Sequence, residues 1–158
     1  MSLYQKDFIL RMIESVAATL RRALRRREDG DVDGARQDVA MSIAEVLGPS
    51  AAMVPMVDAT TAANLLSDPQ RIALYLQLLE VDAELLDAKG LPDRGRAGRH
   101  RAAELALELV LRRVELPDDT IGMIHRLLGR ADRTAMAPRY RDAWDEALRL
   151  TPRQGPAA

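Results

Sequence analysis

The 158-residue sequence predicts an all-α fold, a single domain of six or seven helices packed as antiparallel hairpins. Three observations carry that expectation. Apolar residues recur at three- and four-residue steps along most of the chain, which is the helix period. Alanine and leucine dominate while aromatics are scarce, with one Phe, one Trp and three Tyr, a composition suited to closely packed helices. Runs of β-branched residues and Asn-Gly turns, the marks of strands and hairpin loops, do not occur. At 47% apolar and 30% charged residues, the composition is globular and the length suffices for a real core.

The first helix is expected from Leu3 to about Arg27. Ile9, Ile13, Val16, Leu20, Ala23 and Leu24 form its stripe, widened by Phe8, Met12 and Ala17, broad enough to bury against two neighbours. Ser2 and Gln5 have capping-box spacing. Asp7 stands in or near the first turn, where the helix dipole favours an acid, and Arg21, Arg22, Arg25, Arg26 and Arg27 suit the other end. That arginine cluster reads as a solvated helix end. A nucleic-acid patch would want interleaved aromatics, and acids follow the cluster at once.

Gly30 ends the helix, and Asp31 or Asp33 caps the next. Asp29, Asp31 and Asp33 also have the first half of a calcium-loop pattern. Position 40, where the bidentate Glu belongs, is Ala40, so the turn reading is the better one. The second helix runs from about Gly34 to Leu47, with Ala35, Val39, Met41, Ile43, Val46 and Leu47 available to the core. Pro55 prevents residues 49–57 from forming one regular helix. Their methionines suit either an adaptable binding surface or a segment tucked over the core. A short helix follows, Asp58 to Leu66. Asp68-Pro69 then starts the fourth helix, which ends at Lys89-Gly90 and reads as central because two faces are apolar. Its acids, Glu80, Asp82, Glu84 and Asp87, do not fall on one line and read as solvated.

Leu91-Pro92-Asp93 reads as a turn, and the fifth helix is expected from Arg94 to about Val114, with Arg113 flanking its buried side. Its opening is unusual: Arg94, Arg96, Arg99, His100 and Arg101 crowd a helix start, where cations oppose the dipole. Free backbone N–H groups with these side chains would seat a phosphate or carboxylate. Pairing with the acids of residues 80–93 is the competing explanation. The sixth helix opens at Pro117 or Asp118 and runs to about Gly129. The seventh runs from Pro138 to about Leu150, with Tyr140, Trp144, Ala147 and Leu148 packing. Residues 1–150 form the domain, and Thr151 to Ala158 reads as a frayed tail.

Charge narrows the function classes. The net charge of −1 argues against general nucleic-acid binding. It is uneven, with Arg71 and Lys89 against six acids over residues 49–92 and nine arginines against seven acids over 93–134. Without cysteine there are no disulfides, thiolate metal sites or cysteine nucleophiles. His100 and His125 lack a partner histidine at zinc-site spacing, so no metal is expected. No membrane span and no signal-peptide pattern is legible, which gives a cytoplasmic expectation. No catalytic or cofactor motif is present, so no cofactor is expected and enzyme function finds no positive support.

Two stretches resemble known proteins. Gly30 to Val39 resembles the turn and second helix of a tetratricopeptide hairpin, with Ala35-x3-Val39 in the place of A-x3-F. Ala88-Lys89-Gly90 with Ala102-x3-Ala106 is a looser echo after a longer turn. The glycines lie 60 residues apart, so the resemblance implies single hairpins, tetratricopeptide-like but not a regular tandem array. The opening Tyr4-Gln5-Lys6-Asp7-Phe8-Ile9-Leu10-Arg11-Met12-Ile13-Glu14 resembles the start of a family of uncharacterised bacterial proteins with such hairpins, over residues 4–114. That resemblance implies an all-helical fold and carries no activity. The expected function is a non-enzymatic interaction or scaffold protein, with a groove on the second, fourth and fifth helices for a protein or peptide. The alternative is a binder of a small anion or phosphorylated ligand at residues 94–101. Self-association is open through any face left apolar.

Overall fold

A computed structural model describes residues 2–153. Among them lie seven α-helices and no strand: α1 (Leu3–Glu28), α2 (Val32–Leu47), α3 (Ala59–Leu66), α4 (Pro69–Ala88), α5 (Pro92–Leu111), α6 (Asp118–Gly129) and α7 (Pro138–Arg149). The all-α expectation holds.

Two glycines set the layout. Gly30 and Gly90 take φ of +83° and +82°, a conformation in which a Cβ is strained. Each closes a helix end with the same two hydrogen bonds. Gly30 N donates to Arg27 O (3.0 Å) and Asp31 N to Arg26 O (2.7 Å); Gly90 N donates to Asp87 O (3.0 Å) and Leu91 N to Leu86 O (2.9 Å). This pattern satisfies carbonyls that the helix end would leave unpaired. The two turns are therefore equally long, Asp29–Asp31 and Lys89–Leu91.

The second hairpin was expected to have a longer turn, with α5 starting at Arg94. It starts at Pro92, because a proline at the first helical position gives up no hydrogen bond and already has helical φ. The residue five places after each turn glycine is then Ala35 in one hairpin and Gly95 in the other. Both are buried.

Side-chain pairs fix the helix directions. Ser15 donates to Glu45 (3.4 Å) and Arg22 to Asp38 (3.2 Å), so α1 and α2 are antiparallel. Arg36 donates to Asp82 (2.9 Å) and Arg71 to the Val46 carbonyl (2.6 Å), so α2 and α4 are antiparallel. Arg126 pairs with Glu80 (3.1 Å) and Arg130 with Glu84 (3.9 Å), so α4 and α6 are parallel. His125 Nε2 donates to the Ala147 carbonyl (3.1 Å) and Arg153 N, just past α7, to Asp118 (2.8 Å), so α6 and α7 are antiparallel. The first helices of the three hairpins, α1, α4 and α6, thus run in one direction, with α4 between the other two. α4 packs on α1, α2, α3, α5 and α6, as its two apolar faces require. Its acids are not free in solvent: Glu80, Asp82, Glu84 and Asp87 each pair with an arginine.

Most caps read from the sequence are in place. Ser2 and Gln5 make the reciprocal capping box, Asp31 accepts from Gly34 N (2.9 Å), Asp58 from Thr61 N (2.9 Å) and Asp68 from Gln70 N (2.8 Å). α1 has no acid in its first turn, so Asp7 lies just beyond it. Residues 48–57 hold two 3₁₀ turns, Gly48–Ser50 and Val54–Met56. Val54 is buried, while Met53 and Met56 face solvent. Arg101 of α5 donates to the carbonyls of Val54 (2.9 Å) and Val57 (2.7 Å) and pins this connector to the body.

Several residues sit differently from their expected places. Met41 and Leu148 are exposed, Arg113 lies past the end of α5 at φ +53°, and α1 buries only Ile9, Met12, Val16, Thr19 and Ala23. Arg153 is held by Asp118 (2.8 Å) and Glu115 (2.8 Å), so the expected tail is fixed at its start. Residues 154–158 of that tail lie outside the described residues.

Candidate functional site

α1 is longer than its neighbours can cover. Ser2 to Phe8 are all exposed, and the first buried residue is Ile9. Beyond that point α1 shows the core one edge of its apolar stripe and turns the other edge outward. Ile13, Ala17 and Leu20 form one wall of a groove of about 580 Å³. Pro69, Ala73 and Leu74 of α4 form the floor and second wall, and Leu116 and Pro117 of the link into α6 close one side. Arg21, Gln70, Gln77, Glu115, Asp119 and Thr120 supply polar groups. An apolar trough rimmed by separate polar groups has the character of a surface that takes an amphipathic helix.

The groove was expected on the second, fourth and fifth helices. α4 does line it, but α2 and α5 do not. They are the second helices of their hairpins, and they bury their apolar faces against α4. The first helices retain an open side because α1, α4 and α6 present one face together. The signal was the breadth of the α1 stripe: Ile13 and Leu20 within it and Ala17 beside it make it wide enough for two neighbours, and these three form the groove wall.

The arginine-rich start of α5 borders a second cavity of about 830 Å³. Arg96, Arg99 and His100 line it, Arg130 just past α6 joins them, and Asp93 and Asp132 stand on its walls. The earlier start of α5 changes the chemistry available there. Gly95 N already donates to the Leu91 carbonyl, so residues 96–101 lie in the helix body, where backbone N–H groups are taken. The side chains are also partly committed. Arg99, 9% exposed, makes a fork to Asp87 (2.7 and 3.3 Å). This hydrogen-bonded guanidinium holds the Asp87 carboxyl below the usual carboxylate range. Arg96 pairs with Asp93 (2.9 Å) and His100 Nε2 lies 3.7 Å from Glu104. Arg101 serves the connector, away from the cavity, and Arg94 is exposed without an ion pair among the described residues. Hydrogen bonds from Thr134 lower the Asp132 carboxyl, with a smaller contribution from His100.

The glycines among those arginines have a packing role. A Cβ on Gly95 would fall 2.9 Å from the Ala83 carbonyl oxygen and against Asp87, so α4 and α5 approach closely there. Gly95, Arg99 and Ala102 face α4, and the remaining arginines fan outward.

One polar cluster had no signal in the sequence. Glu108 of α5 is 3% exposed, and its Oε1 accepts from Thr60 of α3 (2.6 Å), Tyr140 of α7 (2.7 Å) and Arg139 (2.9 Å). A buried carboxylate with three donors ties three helices together. Every member is engaged internally, so the cluster reads as structural.

Among the described residues no three His, Asp or Glu side chains are placed to hold a metal ion, and no helix is long and apolar enough to cross a membrane. No protein-family model, no curated protein and no solved structure matches the chain.

Proposed function

We propose that the chain is a non-enzymatic interaction protein whose groove between α1, α4 and the start of α6 receives a helix of a protein partner. The observation that carries this reading is the open trough of Ile13, Ala17, Leu20, Ala73, Leu74 and Leu116 on the face shared by the first helices. Burying such a surface is favourable by about 25 cal/mol per Å², and the polar rim gives a helix its register. The hairpin order supports a tetratricopeptide-like arrangement, in which first helices line a common face. The 60-residue spacing of Gly30 and Gly90 exceeds that family's 34-residue repeat because the connector and α3 stand between the hairpins.

The test is affinity capture from native cell extract with the wild-type chain and an Ala73→Glu chain. Ala73 is half-buried in the groove wall, and circular dichroism checks that the variant folds. A protein retained by the wild type and lost by Ala73→Glu is the expected result. Equal retention by both chains overturns the groove as the binding surface.

The α5 cavity favours a second reading, a site for a small anion or phosphorylated ligand. Its support is the convergence of Arg96, His100 and Arg130 on one cavity. Asp93 and Asp132 on the same walls oppose it. Arg99 is bonded to Asp87, so the test uses Arg96→Glu and Arg130→Glu. Phosphate-dependent thermal stabilisation present in the wild type and absent in both variants would support the reading. No stabilisation of the wild type overturns it.

A further inference from the structure

The outward edge of α1 has a period of its own. Leu3, Leu10, Ala17 and Leu24 recur every seven residues, and Ile13 and Leu20 stand three places after two of them. An amphipathic helix that serves only a globular core follows a period near 3.6 and needs one stripe. A strict seven-residue alternation of three and four steps is the seam of a helix paired with another long helix. α1 carries both. Its core stripe runs through Ile9, Met12, Val16 and Ala23. The second stripe is open, with Leu3 79%, Leu10 57% and Leu24 55% exposed. Its middle residues, Ile13, Ala17 and Leu20, are the groove wall already described.

We infer that the occupant of this groove is the α1 helix of a second copy of the chain, laid antiparallel across a two-fold axis. This inference rests on the groove reading above and names its partner. The charges on the seam select both occupant and direction. Its two remaining places are Lys6 and Arg27. A parallel pairing would set Lys6 against Lys6 and Arg27 against Arg27, like charges facing each other within the seam. The antiparallel pairing that sets Ile13 against Ala17 and Leu10 against Leu20 brings Lys6 beside Leu24 and Arg27 beside Leu3. Both cations then lie at the ends of the pair, Lys6 with its stem on apolar surface and its head in water and Arg27 turned to Glu84 of its own α4 (3.6 Å). The same register places Asp7 next to Arg21 of the second copy, twice by symmetry. A single helix of a different protein would need its own seam of matching length; the chain supplies one.

The area sets the strength. α1 has 26 residues and is about 39 Å long. A contact of that length and about 10 Å width covers on the order of 400 Å² on each copy before α4 and Leu116 are added. This is below the roughly 800 Å² per partner of a standard interface, and Glu14 meets its own copy near the axis. The pair is therefore weak and concentration-dependent.

The test is sedimentation velocity of the full chain from about 1 to 100 µM. A concentration-dependent dimer is expected, and Leu10→Asp should raise its dissociation constant more than about tenfold. Leu10 is exposed, so the variant keeps its circular dichroism and melting temperature. Cysteine scanning reads the direction, because the chain has no cysteine of its own. Leu10→Cys and Leu20→Cys chains should form disulfide dimers when mixed and not separately. A chain that stays monomeric at the top concentration overturns the inference, as does a dimer indifferent to Leu10→Asp. Cross-linking of Leu10→Cys with itself overturns the antiparallel arrangement. A monomer that still captures a protein through Ala73 overturns self-pairing alone and leaves the groove reading in place. A monomer that captures nothing overturns both.

Discussion

Tyr140→Phe tests the argument for the buried Glu108 cluster directly. The Tyr140 hydroxyl is 2.7 Å from Glu108 Oε1 and its side chain is 4% exposed. Phe fills the same space and removes only the donor. A hydrogen bond to a buried charged acceptor is worth about 1.5–3 kcal/mol. For a chain of this size, that corresponds to a fall in melting temperature of roughly 3–12 °C. The hydroxyl should also leave a signature at high pH. Burial, with further help from the Glu108 carboxylate and some opposition from Thr60, pushes its pKa from 10.0 up to about 12. The folded state therefore favours the protonated phenol. Its contribution is complete below about pH 10 and is lost as pH rises from about 10 to 12. Two pKa units amount to about 2.7 kcal/mol at the far end of that window. Denaturant melts of both chains from pH 7 to 11 make the measurement. Tyr140→Phe should be less stable at pH 7, and its deficit should shrink as the pH enters the window. Burial also raises Tyr75, which is common to both chains, so the comparison rests on the difference between them. Equal stability at pH 7, or a deficit constant through pH 11, would refute the assignment of Tyr140 as a buried donor to Glu108.

Other substitutions probe separate parts of the fold. Gly95→Ala should destabilise by about 1–3 kcal/mol in a denaturant melt, because its Cβ meets the Ala83 carbonyl oxygen and neither backbone can move freely. Gly98→Ala, three positions further along the same helix, should instead stabilise by roughly 0.5–1 kcal/mol. Its Cβ finds only the Ala83 Cβ at 3.6 Å, an ordinary contact, and the helix gains propensity. The buried Ser42 hydroxyl makes no hydrogen bond among the described residues, so Ser42→Ala should be neutral or stabilising by up to about 1 kcal/mol. A loss of stability there would reveal a bond to that hydroxyl. The Asp87 carboxyl, lowered chiefly by its hydrogen bond from Arg99, adds stability that is present above its ordinary pKa of 3.8 and lost as pH falls through the lower folded value. Asp87→Asn should flatten the acid limb of the stability profile, and an unchanged limb would show that the pair has no differential effect.

The amino-acid sequence determined the helices and most of their ends. Ser2 with Gln5, Asp58 with Thr61, Asp68 before Pro69, and the two turn glycines all act within a few residues of themselves, so their chemistry is complete in a short window. Where two local readings of the same residues were open, the tertiary structure chose between them. Leu91-Pro92-Asp93 suits a turn or a helix start, and packing of Gly95 on Ala83 selects the start. The arginines after Pro92 suit an anion or an acid of the chain, and Asp87, twelve residues before Arg99, takes the most buried of them. The candidate site followed the same division. The residues of the groove wall were legible as apolar and helical. That Ile13 and Leu20 face a trough while Val16 and Ala23 face the core depended on α2 and α4, which reach α1 from distant parts of the chain. Periodicity specifies which residues share a helix face, because the backbone repeats locally. Which face is covered depends on neighbours brought together only when the chain closes, and no short window of sequence contains them.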